Sequence, residues 1–88
     1  MIRRRVVVHG RVQGVFFRDT TRRMATSRGV AGWARNRDDG AVEAVFEGER
    51  DAVESMLEVV REGPPRAQVD AVEVFEEEPE GLEGFTVS

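Results

Sequence analysis

The sequence predicts an α+β sandwich: two helices on one face of a four- to five-stranded, mostly antiparallel sheet. Three observations carry this expectation. Short segments alternate apolar and polar residues, as half-buried strands do. Two other segments space their apolar residues at helical intervals. Read along the chain, these segments follow the order βαββαβ. At 88 residues the chain is expected to form one domain spanning 1–88, with a modest core.

Each element has its own signal. Arg3 to His9 alternates around Val6 and Val8 and reads as a strand. Phe17 to Arg28 reads as a helix, with Phe17, Thr21, Met24 and Ala25 on one face and Gly29 as its stop. Val30 to Asn36 is a second strand, followed by the turn Asn36-Arg37-Asp38-Asp39-Gly40. Ala41 to Glu47 sets Val42, Ala44 and Phe46 against Glu43, Val45 and Glu47, the pattern of a returning hairpin arm. Val53, Met56, Leu57 and Val60 form the stripe of a second helix that ends at Gly63-Pro64-Pro65. Val69 to Phe75 is a fourth strand, and Gly84 to Val87 a short terminal one. With both helices on one side, the other sheet face is expected to be more open. The order is that of a ferredoxin-like sandwich.

Between the first strand and the first helix lies Gly10-Arg11-Val12-Gln13-Gly14-Val15-Phe16-Phe17-Arg18. A strand, a glycine loop and a helix start make an anion cradle. Loop amides are free of strand pairing, the first helical amides lack intrahelical partners, and the helix dipole is positive there. Arg18 adds a planar donor fork suited to phosphate oxygens. A cation at this end of a helix is disfavoured by about 0.3–1 kcal/mol, which a bound anion would offset. The loop lacks the Gly-Lys-Ser/Thr ending of a nucleotide P-loop and the longer glycine pattern of dinucleotide sites. A small anion is therefore expected, with neither nucleotide nor cofactor.

Composition narrows the chemistry further. There is no cysteine and one histidine, His9, so no thiolate nucleophile and no zinc-type site is expected. No apolar run reaches membrane length, and Met-Ile-Arg-Arg-Arg leads straight into a strand pattern. A cytoplasmic chain with no membrane partner is expected. Net charge is −4, and the strands lack paired stacking aromatics, so no nucleic-acid partner is expected either. Charge is unevenly placed. Residues 1–44 carry ten arginines against four acids, and residues 45–88 three against thirteen. This implies either a positive field around the cradle or two halves that interleave in space. Asp38 and Asp39 read as a solvated turn, and Trp33 and Phe46 as packing residues.

The cradle stretch resembles the first signature of the acylphosphatase family: an aliphatic residue, any residue, then Gly-x-Val-Gln-Gly-Val-x-Phe-Arg. Gly32-Trp33-Ala34-Arg35-Asn36, continuing through Gly40 and Val42 to Gly48, resembles the second. The resemblance spans essentially the whole chain. It implies metal-independent hydrolysis of acyl phosphates to carboxylate and phosphate. It makes Arg18 and Asn36 the catalytic pair, with Arg18 binding the substrate phosphate and Asn36 orienting the attacking water. It makes Val12, Gln13, Gly14, Val15, Phe16 and Arg18 the phosphate-binding set. Asn36 cannot act as a base at neutral pH, which suits an electrophile that is already activated. The expected partners are a small acyl phosphate and, as competing anions, phosphate or sulfate. A monomer is expected.

Overall fold

A computed structural model of the chain, Met1–Ser88, contains five strands and two helices. They are β1 (Ile2–Arg11), α1 (Phe17–Ser27), β2 (Ala31–Asn36), β3 (Val42–Gly48), α2 (Arg50–Glu62), β4 (Gln68–Glu77) and β5 (Phe85–Val87). All five strands join one sheet in the order β4-β1-β3-β2-β5. The pairings β1–β3, β1–β4 and β2–β3 are antiparallel, and β2–β5 is parallel. No helix is long and apolar enough to cross a membrane.

Both helices cover the same face. Val6 and Val8 of β1, Ala34 of β2, Val42, Ala44 and Phe46 of β3 and Phe85 of β5 meet Phe17 and Ala25 of α1 and Val53, Met56 and Val60 of α2. The Phe46 and Phe85 rings stack with centroids 5.9 Å apart. Thr21 is buried in the same helix face, and its hydroxyl donates to the Phe17 carbonyl at 2.8 Å. The expected α1 stripe of Phe17, Thr21 and Ala25 is thus the buried one, with Met24 packed against its edge.

β1 and β4 run longer than their alternation suggested. β1 continues through Gly10 and Arg11, which pair with Val69 and Gln68 after a register shift at His9/Gly10. Gly10 therefore belongs to the strand rather than to the loop. Its φ of 128° suits glycine, and a Cβ there would stand 2.1 Å from the Gln68 carbonyl oxygen. α1 ends one residue short of the expected Arg28, and α2 opens at Arg50, a turn before its apolar stripe.

The second face differs from the expected open surface. All seven residues of β3 are buried, Glu43 and Glu47 among them. Arg3 donates to Glu47 at 2.7 Å and to Glu77 at 2.9 Å. Arg5 reaches Glu77 at 2.7 Å and Glu43 at 3.3 Å, and Arg35 reaches Glu43 at 2.6 Å. These long side chains cover Val7 and Val45 while their charges pair. Trp33 lies on this face, with the Arg35 guanidinium 5.8 Å from its ring centroid. The uneven charge of the sequence resolves here into interleaving: N-terminal arginines meet C-terminal acids across the sheet.

Candidate active site

The chain leaves β1 at Arg11 and enters α1 at Phe17, so the loop is Val12–Phe16. Val12 and Val15 anchor it by burial in the core. Gly14 takes φ 73° in open space. Phe16 sits in the left-handed region at φ 64°, ψ 23°, the one non-glycine residue with positive φ. For a phenylalanine this costs about 1–2 kcal/mol. Phe16 occupies the N-cap of α1, and no side chain caps the helix.

The amides of Gln13, Gly14, Val15 and Phe16 donate to no main-chain carbonyl, and the first bond within α1 runs from Thr20 N–H to the Phe16 carbonyl at 3.0 Å. Loop and helix start therefore present consecutive N–H groups at the positive end of the α1 dipole.

Gln13 fixes this loop against a second element. Its Nε2 donates to the Arg37 carbonyl at 2.8 Å and to the Ala41 carbonyl at 3.0 Å. Those two residues flank the β2–β3 turn, which is itself closed by Arg37 N–H donating to the Ala41 carbonyl at 2.8 Å. Asp39 shapes the same turn, accepting from the Ala41 amide at 3.0 Å and from Arg37 at 2.9 Å. The Ala41 amide, with the Arg37 charge, holds the Asp39 carboxyl below its usual range. The family resemblance places Gln13 in the phosphate-binding set and gives its side chain no separate part. The usable signal was its amide, which carries two donors and can bridge two carbonyls.

Asn36 is the last residue of β2 and pairs with Val42. Gly32 and Ala34 pair with Phe46 and Ala44, both on the helix side. By the two-residue period, Asn36 also projects to the helix side, one step past buried Ala34. The Ala34 carbonyl accepts from Ser88 N–H at 3.1 Å, and the Ser88 carbonyl accepts from Arg18 Nη1. Arg18 is thereby linked through Ser88 to the strand that ends in Asn36.

Arg18 stands in the first turn of α1, where no aspartate or glutamate side chain pairs with it and its guanidinium donates to the Ser88 main-chain oxygen. The adjacent Asp19 is occupied by Arg22 at 2.8 Å and Arg23 at 3.2 Å. Chiefly through the Arg22 hydrogen bond, these two arginines hold the Asp19 carboxyl below its usual range.

Val12, Gly14, Phe16, Phe17, Arg18 and Asp19 line one cavity of about 280 Å³. Asn36 lies outside it, in a separate concavity with Arg35, Arg37, Asp38, Asp39 and Glu43. The structure thus gathers Val12, Gly14, Phe16 and Arg18 around one space. It brings Asn36 to the same end of the sheet through Gln13 and Ser88. Val15 anchors the loop from beneath. His9 lies apart, its Nε2 2.6 Å from Glu73 Oε1 on the exposed surface.

Fold and loop together define a class: a βαββαβ sandwich with a loop of unpaired amides where its first strand joins its first helix. The acylphosphatase family model matches residues 4–87, and the chain belongs to that family. It is 58% identical to an acylphosphatase of Haloarcula marismortui over 85 residues, covering 97% of this chain and 93% of that one. An acylphosphatase of Rubrobacter xylanophilus is 60% identical over 85 residues, covering 94% of this chain and 76% of that one. Among solved structures, the acylphosphatase of Bacillus subtilis superposes with a TM-score of 0.96 at 42% identity, covering 100% of this chain and 99% of that one.

Proposed function

We propose that this chain is an acylphosphatase, hydrolysing the carboxyl–phosphate bond of small acyl phosphates. The observation that carries this reading is the run of unpaired amides from Gln13 to Phe16 beside an arginine that no aspartate or glutamate side chain neutralises. In this reading the loop amides and the Arg18 guanidinium hold the phosphoryl oxygens. Asn36, held near the loop by the Gln13 clamp, positions a water in line with the leaving group. The water oxygen forms a bond to phosphorus while the bond from phosphorus to the acyl oxygen breaks. The acyl oxygen departs as carboxylate, and the water proton passes to a phosphoryl oxygen. A carboxylate is a good leaving group, so no general acid is required. Positioning and electrostatic stabilisation supply the catalysis.

Neither a metal nor a covalent intermediate enters this scheme. The test is hydrolysis of benzoyl phosphate with chelator present, set against a stable phosphate monoester. Turnover of the acyl phosphate alone is expected. Equal rates on both substrates, or abolition by chelator, would overturn the mechanism. Inorganic phosphate or sulfate is expected to compete with substrate, more weakly as ionic strength rises. Absent or uncompetitive inhibition would count against the cradle.

The same reading takes the chain as a monomer working in the cytoplasm. Of its two edge strands, β4 carries Asp70, Glu73 and Glu76, charges that oppose edge-to-edge pairing. Sedimentation at working concentration checks the monomer.

A further inference from the structure

The structure leaves one aromatic ring without an explanation from packing. Phe16 is 72% exposed, whereas the next most exposed aromatic, Phe75 at 38%, is covered by the Arg5 guanidinium 4.3 Å from its centroid. Phe16 also holds left-handed backbone, a conformation that glycine adopts without strain. Strained residues that persist despite an easier alternative concentrate at functional sites.

The surroundings of the ring are specific. Phe16 and Asp19 separate two cavities. One, of about 280 Å³, contains Arg18 and the cradle loop. The other, of about 340 Å³, is lined by Val15, Thr20, Arg23, Pro64, Pro65 and Arg66 as well as the dividing pair. The second cavity is fixed in place because the loop after α2 packs on Phe17. A Cβ at Gly63 would lie 3.1 Å from Phe17 Cε2 and 3.2 Å from Val69 Cγ2. Phe16 lines both cavities and Pro64 and Pro65 line the second, so the ring lies between a phosphate held beside Arg18 and the apolar residues that an attached acyl group could reach.

We propose that Phe16 selects the acyl group, its ring forming the apolar platform on which an aromatic or extended aliphatic acyl chain lies as the phosphate occupies the cradle. This inference rests on the acyl phosphate reading above. An acetyl group is too small to cover the ring. A benzoyl group can stack on it, in the offset or edge-to-face geometry that aromatic pairs prefer. The preference therefore belongs to the acyl part alone.

The test is the ratio of kcat/KM for benzoyl phosphate to that for acetyl phosphate, measured in the unmodified protein, Phe16→Tyr, Phe16→Leu and Phe16→Gly. Because both substrates share the phosphate, the ratio cancels any loosening of the cradle. It is expected to hold in Phe16→Tyr, to fall in Phe16→Leu and to fall about tenfold in Phe16→Gly, the scale of one lost apolar contact. Dissociation constants of benzoylphosphonate and acetylphosphonate, which cannot be hydrolysed, give a second ratio that needs no turnover. A ratio that ignores removal of the ring overturns the role of Phe16 while leaving the cradle standing. If the unmodified protein hydrolyses neither substrate, the acyl phosphate reading fails, and selectivity in hydrolysis fails with it.

Discussion

The side-chain amide of Gln13 donates to the main-chain carbonyl of Arg37 at 2.8 Å, joining the cradle loop to the turn that follows Asn36. One carboxamide, with its second bond to Ala41, thus sets the distance between two halves of the site. Gln13→Ala is expected to cost about 1–2 kcal/mol, since the Arg37 and Ala41 carbonyls each lose one of two donors and keep only the main-chain N–H of Gly40 and Arg37. A larger effect, on the order of 10²-fold in kcat, is expected from misplacement of the loop relative to Asn36. Gln13→Glu is expected to be worse on both counts, because a carboxylate would face two carbonyl oxygens. Denaturant unfolding and steady-state kinetics on the same preparations separate the two effects.

Arg18 and Asn36 are expected to fail differently. Arg18→Ala should impair both substrate affinity and turnover, because in the proposed scheme the guanidinium meets phosphoryl oxygens before and during the reaction. Arg18→Lys should rescue poorly, because a point charge cannot reproduce the fork. Asn36→Ala should leave inhibition by inorganic phosphate nearly intact while lowering kcat on the order of 10²–10³-fold. A folded Asn36→Ala protein with full activity would return Asn36 to a purely structural part in its turn.

Gly14 in the loop and Gly10 in β1 are expected to respond to alanine to different degrees. At Gly14 a Cβ meets nothing within 4 Å, so Gly14→Ala carries only the strain of φ 73°, about 1 kcal/mol. At Gly10 the added carbon would overlap the Gln68 carbonyl oxygen at 2.1 Å, so β1 and β4 must part at the bulge. Gly10→Ala is expected to lose several times as much stability, read as a shift in the denaturant midpoint.

Acid should unfold the protein through the charged face of the sheet. Burial pushes the Glu47 carboxyl up, but the Glu80 amide, Arg3 and the amides of Leu82 and Gly81 together bring it below its ordinary value of 4.5. Glu77 is likewise held below 4.5, by hydrogen bonds from Arg5 and then Arg3. Carboxyls depressed in the folded state contribute stability that is present above their ordinary pKa and lost as pH falls through the folded value. Stability should therefore hold down to pH 4.5 and decline below it. Glu47→Gln should remove part of that decline. It should also cost about 2–3 kcal/mol at neutral pH, because Arg3 and three loop amides lose a charged acceptor. Chemical denaturation across pH checks both.

The fold was legible because its determinants are periodic. The alternation of Val42, Ala44 and Phe46 and the stripe of Val53, Met56 and Val60 each name a face without reference to anything distant. The candidate loop was legible because glycine spacing and a first-turn arginine have local physical meaning. What escaped were relations between distant residues. Glu43 and Glu47 read as solvent-facing because their arginine partners lie in other strands. The clamp made by the Gln13 side chain escaped because its acceptors are carbonyls, which any residue supplies. The extension of β1 through Gly10 depended on a bulge opposite β4, and no pattern within residues 9–11 encodes it.

The place of β1 in the sheet has a kinetic consequence. The cradle hangs from the end of a strand flanked by β3 and β4, so its residues wait for partners far along the chain: Arg5 for Glu43, 38 residues on, and Arg3 for Glu77, 74 residues on. Closing such long loops comes before their contacts can reward it, and proteins with high contact order fold slowly for that reason. Until that closure β1 has no neighbours to hold its end in place, and Gln13 has no turn to grip. The loop Val12–Phe16 is therefore organised late, in the same cooperative event that completes the sheet, and a chain arrested before that event carries the full set of candidate residues with no common space around which to arrange them.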